Sequence, residues 1–293
     1  MWYVLSALLV GGSFLALAVF GLRQGIDFTG GSLLGLRFTG GRPPIEQLQS
    51  TLAAAKLEGF TVQPVGETDA NIRTKTLTEG EHQSVVAAIE AAHGDVDELQ
   101  YNAIGPAVGH ELRQKALTGL VVAFLAILVF IAWSFRSVSR PVQSWKYGLI
   151  VLATSLHDIA LPLGLFAILG RFWHVEVGAP FIAAILTVMG YSINDTIVVM
   201  DRIRENLQKS SGSFEEIVEK SLSETIVRSV STSFTTVLSL LAVLLFGGRT
   251  IHDFALALIV GILTGTYSSI FIASPLLVSW YRFSQRKGAG SKR

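Results

Sequence analysis

Cysteine is absent from the 293 residues, which excludes disulfides, thiol nucleophiles and Cys-ligated metal. Charge is scarce: 15% of the chain is Asp, Glu, Lys or Arg, where soluble domains carry about a quarter. The two signs nearly cancel at a net +1, so no basic field points to nucleic acid. No GxxxxGK[ST] phosphate loop is present, which argues against ATP use. No basic cluster precedes the first apolar run, because Met1 leads straight into Trp2; that run therefore reads as a retained anchor rather than a cleaved signal. What is abundant is apolar surface, 50% of the residues with a mean hydropathy of +0.51. The composition is that of a membrane protein.

Six apolar runs stand out, at about 2–22, 114–134, 147–170, 178–200, 223–246 and 254–281. Each is near or above the ~20 residues that a helix needs to cross hydrocarbon. All five tryptophans (Trp2, Trp133, Trp145, Trp173 and Trp280) fall near run ends, where an aromatic belt belongs. Lys and Arg alternate between the loops. The loop after the second run has Arg136, Arg140 and Lys146, and the loop after the fourth has Arg202, Arg204, Lys209 and Lys220. The tail has Arg282, Arg286, Lys287, Lys292 and Arg293, whereas the loops on the other side hold only Arg171 and Arg249. The positive-inside rule then predicts cytoplasmic termini, with residues 23–113 outside.

Residues 23–113 read as a folded domain. Leu34, Leu36 and Phe38 alternate as in a strand. Pro43-Pro44 opens a helix with Ile45, Leu48, Leu52 and Ala55 on one face, stopped by Gly59. Phe60 to Val65 and Asn71 to Thr76 read as strands. Thr78-x-x-Glu81 is a capping box that starts a helix carrying Val85, Val86, Ile89 and Ala92 and ending at Gly94. Val96 to Ile104 is the last strand. The order βαββαβ predicts a ferredoxin-like unit between the first and second of six transmembrane helices. Contact with something outside the membrane and a passive spacer both remain open as its role. In GIDFTGGSLL, residues 25–34, Gly30-Gly31 permits a tight turn where the first helix hands over to the sheet. Asp27 beside it is read as part of a structural junction.

Few ionisable groups lie deep in the runs. His157-Asp158 sits ten residues in from Tyr147, ~15 Å at helical rise. Asp195 interrupts LTVMGYSINDTIVV, ~9 Å from the charged DRIREN. Arg228 lies at similar depth in the next run, one turn beyond Glu224. An Asp195–Arg228 pair lowers the cost of both charges and makes proton binding at Asp195 sensitive to helix movement. A static brace, or an Arg228 that snorkels toward the surface, explains the same residues. Thr225, Arg228, Thr232, Thr235 and Ser239 follow a 3, 4, 3, 4 spacing, and Thr187, Tyr191 and Asn194 lie near Asp195 in sequence. Such hydroxyls either glue helices together or line a hydrated path. His157-Asp158 reads as a relay or as a buried hydrogen bond. It has no second His or acid at ligand spacing, so no metal and no cofactor is expected. Gly261-x-x-x-Gly265 is a close-packing signal.

Together GIDFTGG (25–31), His157-Asp158, GYSINDTIVVMDRIREN (190–206), FGG (246–248) and SSIFIASPL (268–276) resemble the SecF members of the SecD/SecF family. These are subunits of the bacterial Sec protein-export machinery in the resistance-nodulation-division (RND) superfamily, and the likeness extends over essentially the whole chain. The resemblance implies a non-enzymatic accessory subunit of the cytoplasmic (inner) membrane. Its implied partners are a SecD-like subunit, the SecY-E-G channel and the unfolded exported preprotein, and its implied drive is the proton gradient. It assigns proton transport to Asp195 and Arg228, with a further acid in SecD. An RND-type small-molecule or lipid exporter and a non-conducting assembly subunit are the competing readings. A complete pump needs a doubled unit, and this chain has one. Carboxylate and hydroxyls suit sodium as well as protons.

Overall fold

The computed structural model describes residues 2–134 and 142–290. Arg136, Arg140, Lys292 and Arg293 lie outside the described residues, as do the side chains of Arg249 and Lys287. In chain order the helices are α1 (Trp2–Phe20), α2 (Ile26–Thr29), α3 (Ile45–Ala54), α4 (Glu79–His93), α5 (Pro106–Ser134), α6 (Ser144–Phe172), α7 (Ala179–Lys209), α8 (Phe214–Phe246), α9 (Arg249–Ser268) and α10 (Ser274–Gly290). A π-helical turn, Ser269–Ala273, joins the last two. The strands are β1 (Gly31–Phe38), β2 (Thr61–Val65), β3 (Asp69–Thr74) and β4 (Val96–Ile104). The chain divides into a helical unit (1–22, 119–175 and 180–293) and an α+β unit (23–118 and 176–179).

In the α+β unit every strand pairs antiparallel, in the order β2-β3-β1-β4. With α3 and α4 between the strands, this is the ferredoxin-like arrangement. Leu34, Leu36 and Phe38 point to one face of β1 and bury against Leu48 and Leu52 of α3 and Val85 and Ile89 of α4. Burial of such a side chain is worth about 1.5–3 kcal/mol, so these positions carry the unit. α4 starts where Thr78 and Glu81 complete the capping box and stops at Gly94, whose φ is 84°. α3 stops short of the expected Gly59, because Lys56 already adopts a left-handed φ of 60°. Arg37 pairs with the buried Asp69 at 3.1 Å, and that hydrogen bond and charge hold the guanidinium above its ordinary pKa.

Gly30 and Gly31 are required by contact as well as by conformation. Both have positive φ (72° and 124°); a Cβ at Gly30 would meet Pro106 Cα at 2.7 Å, and one at Gly31 the Thr74 carbonyl oxygen at 2.6 Å. Nearby, residues 176–179 are knitted into the same unit. Arg73 Nη1 reaches Glu176 at 2.5 Å and Arg23 Nε reaches it at 3.3 Å. Gln24 and Val177 form a parallel bridge. Asp27 Oδ2 accepts the N–H of Ala179, the first residue of α7, at 2.7 Å. Its carboxylate therefore satisfies one of the donors that a helix N-terminus leaves open.

The described residues contain six candidate spans, Trp2–Phe20, Pro106–Ile131, Trp145–Phe172, Ala179–Lys209, Phe214–Phe246 and Ile251–Arg286. The helices outrun the apolar runs. α5 begins at Pro106 rather than 114, and α8 begins at Phe214 rather than 223. Hydropathy marks the extent of apolar surface, whereas helical hydrogen bonding continues until a cap ends it. Ser213 and Glu216 supply that cap as a capping box for α8. Close approach fixes the packing between helices. A Cβ on Gly164 of α6 would run into Ser13 of α1, and one on Gly261 of α9 into Val188 of α7; one on Gly265 would sit 3.1 Å from Ser192 Cβ. Small residues let helix backbones approach where lipid offers no hydrophobic drive to associate. Tyr147, Ile150, Val151, Met189, Val199, Met200, Ile203, Ala273 and Leu277 form the core between them.

Candidate functional site in the helical unit

Asp158 is fully buried on α6. Its Oδ1 meets His157 Nδ1 at 2.8 Å, so these neighbours do face each other. Its Oδ2 accepts from Ser268 Oγ at 2.6 Å and from Ser192 Oγ of α7. A buried carboxylate is costly unless its lone pairs are filled, and here three elements fill them. His157 is buried too, and its Nε2 has no hydrogen-bond partner.

Asp195 is buried on α7, and its Oδ2 accepts from Ser269 Oγ in the π-helical turn. The expected Asp195–Arg228 ion pair is not formed: Arg228 is exposed on α8 and makes no ion pair among the described residues. Depth arithmetic places two groups at one height but not on one face. Successive helical residues are about 100° apart, and the inward position on α8 is taken by the neighbouring Ser229.

The expected polar stripe on α8 divides in the same way. Ser221, Thr225, Ser229 and Ser233, four residues apart, are buried. Thr232, Thr235 and Ser239 are exposed with Arg228, and their hydroxyls bond carbonyls of their own helix, at 2.9, 3.0 and 3.0 Å. Thr225 is buried but likewise bonds back to Ser221 O at 2.9 Å. On α7, Asn194 and Thr187 are exposed rather than turned toward Asp195. Tyr191 reaches inward, its hydroxyl donating to Ser233 Oγ at 3.3 Å, and Ser233 meets Thr266 at 2.5 Å.

The site is thus built by α6, α7 and the α9–π-turn junction, with Ser192, Ser268 and Ser269 as its hydroxyl donors. Sequence reasoning missed these three. The available signal was a pair of adjacent hydroxyls in the apolar run SSIFIASPL. Among the described residues no three His, Asp or Glu side chains converge on a point where a metal would sit.

A family model described as "Protein export membrane protein SecD/SecF, C-terminal" matches residues 84–283, and the "SecD/SecF GG Motif" matches residues 15–41. The chain belongs to the SecD/SecF family. Its relatives include the protein translocase subunit SecF of Thermobaculum terrenum, 44% identical over 294 residues, covering 95% of this chain and 91% of the relative. The SecF of Haemophilus influenzae is 37% identical over 277 residues, covering 92% and 81%. The crystal structure of SecDF, a translocon-associated membrane protein from Thermus thermophilus, superposes with a TM-score of 0.82 at 33% identity, over 95% of this chain and 37% of that one. A second SecDF structure, in a super-membrane-facing form, gives a TM-score of 0.66 at 34% identity, over 99% and 38%. The residues matched by the GG motif include Gly30 and Gly31, two positions where the α+β unit admits no side chain. With six helices among the described residues long and apolar enough to cross a membrane, this SecD/SecF chain is a multi-pass membrane protein.

Proposed function

We propose that the chain is a SecF-type accessory subunit of the Sec protein translocase. With a SecD-like partner, it uses the proton gradient to promote protein export across the bacterial cytoplasmic membrane. The observation that carries this reading is the pair of buried carboxylates, Asp158 and Asp195, each held by hydroxyls within a membrane-spanning bundle. Intramembrane acids are rare and mark ion or proton pathways. The role is transport and not catalysis, with no cofactor. The SecY-E-G channel and the emerging preprotein are its further partners. The excess of Lys and Arg on one side supports cytoplasmic termini, which puts the α+β unit outside.

The exposed Arg228 face of α8 supports a partner at this depth. A guanidinium facing bare hydrocarbon is costly, whereas an acid on an adjacent subunit compensates it. SecDF of Thermus thermophilus is a single chain of which this one matches 37%, so the remainder of such a machine is the natural source of that acid. Arg228 belongs to the proton path on this reading through the partner rather than through a direct bond to Asp195.

The test is Asp195→Asn in the assembled complex, with export of a secreted protein measured with and without a proton gradient. Loss of the gradient-dependent component, at normal protein level, is the expected result. Full gradient dependence in that variant would instead leave Asp195 as a brace. An exporter of small molecules predicts altered drug sensitivity with normal secretion.

A further inference from the structure

Ser268 and Ser269 are adjacent, yet each holds a different buried acid. They sit where α9 gives way to the π-helical turn, a rare geometry that appears frequently at functional sites. Each hydroxyl carries one proton and can also accept, and each has two acceptors in reach. Ser268 Oγ lies 2.6 Å from Asp158 Oδ2 and 3.1 Å from the Gly265 carbonyl oxygen. Ser269 Oγ lies against Asp195 Oδ2 and 3.1 Å from the Thr266 carbonyl oxygen. In both cases the second acceptor is three residues back on the same helix. The exposed hydroxyls of Thr232, Thr235 and Ser239 reach only carbonyls of their own helix, two each for the threonines, and none reaches an acid.

We infer that Ser268 and Ser269 are positioning residues of the proton-transfer site, each satisfying its acid in both charge states by turning one hydroxyl between a carboxylate and a carbonyl of its own helix. The inference rests on the proton-transfer reading of Asp195. When the acid is ionised, the serine O–H donates to it. When the acid gains a proton, its own O–H donates to the serine Oγ, and the serine proton turns to Gly265 O or Thr266 O. Neither state strands a buried donor, which is the costly outcome. Protonation then proceeds without the helices having to separate.

The other titratable groups on the surrounding elements are bonded, buried in apolar packing or turned outward. On α6, His157 is bonded to Asp158, and Tyr147 is fully buried in the apolar core that also holds Ile193 and Ala273. On α7, Tyr191 donates to Ser233. On α8, Glu224 is held by Arg202 and Asn206, and Arg228 is exposed. On α9, Tyr267 meets Ser6 and the Trp2 carbonyl, with its ring 6.2 Å from that of His157. On α1, Tyr3 meets Ser279 of α10.

The test uses the full chain assembled with its partner in lipid vesicles, and reads the carboxyl C=O infrared band as pH is changed. Asp195→Asn assigns the band by removing it. In Ser269→Ala the acid loses a donor when ionised and an acceptor when protonated; the bond to the charged form is the stronger of the two, so the protonated form is favoured. The band is expected to move in frequency, and its midpoint to rise by about one pH unit, a tenfold gain in proton affinity. Ser269→Thr restores both. Ser269→Cys, a weak donor of similar size, gives a partial shift and serves if the alanine variant does not fold. The pH profile of gradient-driven export shifts in the same direction. A folded Ser269→Ala or Ser269→Cys protein with the unaltered band and midpoint overturns the inference. Full gradient-dependent export in Asp195→Asn overturns the underlying reading instead, and the infrared midpoint stays measurable in that case.

Discussion

The spans of the helical unit fall into two sets. Of the hydropathic stretches, those in α6, α7 and the final α9–α10 run are 61%, 50% and 61% buried, whereas those in α1, α5 and α8 are 11%, 6% and 17% buried. The most hydrophobic helices are among the least buried. In a bilayer the outside of a protein is as apolar as its core, so hydropathy locates spans without telling inner from outer. Polarity makes the distinction instead: Asp158, Asp195, Ser192, Ser268 and Ser269 all belong to the inner set. The polar outer face of α8 is the exception that points to a partner.

The contrast yields measurable consequences, taken in descending size. Phe166→Ala on α6 removes a fully buried ring that packs 4.5 Å from Phe181. It should cost about 3–5 kcal/mol in reversible unfolding of the isolated chain. Gly261→Leu drives a side chain into Val188 and should cost about 1–3 kcal/mol by the same measurement; an unchanged melting point would show that the α7–α9 approach is loose. Thr78→Ala removes the side-chain half of the α4 cap and should cost about 1 kcal/mol, read as faster amide exchange in the first turn. The matching truncation on the outer set, Phe14→Ala on α1, which is 59% exposed, should stay within about 0.5 kcal/mol. Equal losses at Phe14 and Phe166 would erase the distinction between the two sets.

The cap also has a pH dependence of defined sign. The Thr78 backbone N–H, then its hydroxyl, hold the Glu81 carboxyl below its ordinary 4.5. A carboxyl with a lowered folded pKa contributes stability above the unfolded value, and that stability is lost as pH falls through the folded value. Protection at the start of α4 should therefore decline below about pH 4.5, and Glu81→Gln should remove the dependence.

The order of elements in the α+β unit was legible because period-2 and period-3.6 patterns are unambiguous when one face meets water, although β3 lies at Asp69–Thr74 rather than 71–76 and α3 ends at Ala54 rather than near Gly59. The last strand, Val96–Ile104, matches its expected bounds. The small helix α2 left no such pattern, being only four residues long. In the helical unit, Asp158 and Asp195 stood out because charge in an apolar run is conspicuous. Their partners did not. A serine in a membrane helix ordinarily bonds back to its own backbone, as Ser223 and Ser239 do, so Ser268 and Ser269 look ordinary in sequence. The π-helical turn adds to this, since it shifts the facing of every later residue relative to a regular helix. Arg228 failed as a direct partner for a related reason, because its facing depends on packing that pattern does not record.

The strap at Glu176–Ala179 sets a limit on modularity. Counted along the chain, the path crosses between the two units four times, after residues 22, 118, 175 and 179. An exchange of the α+β unit with that of another family member, cut at its two obvious ends, would strand Glu176 away from Arg23 and Arg73 and would remove the carboxylate that closes the start of α7. What looks like a detachable insert is stitched in at a second place, and so its sequence is expected to change in step with that of the short connection between α6 and α7.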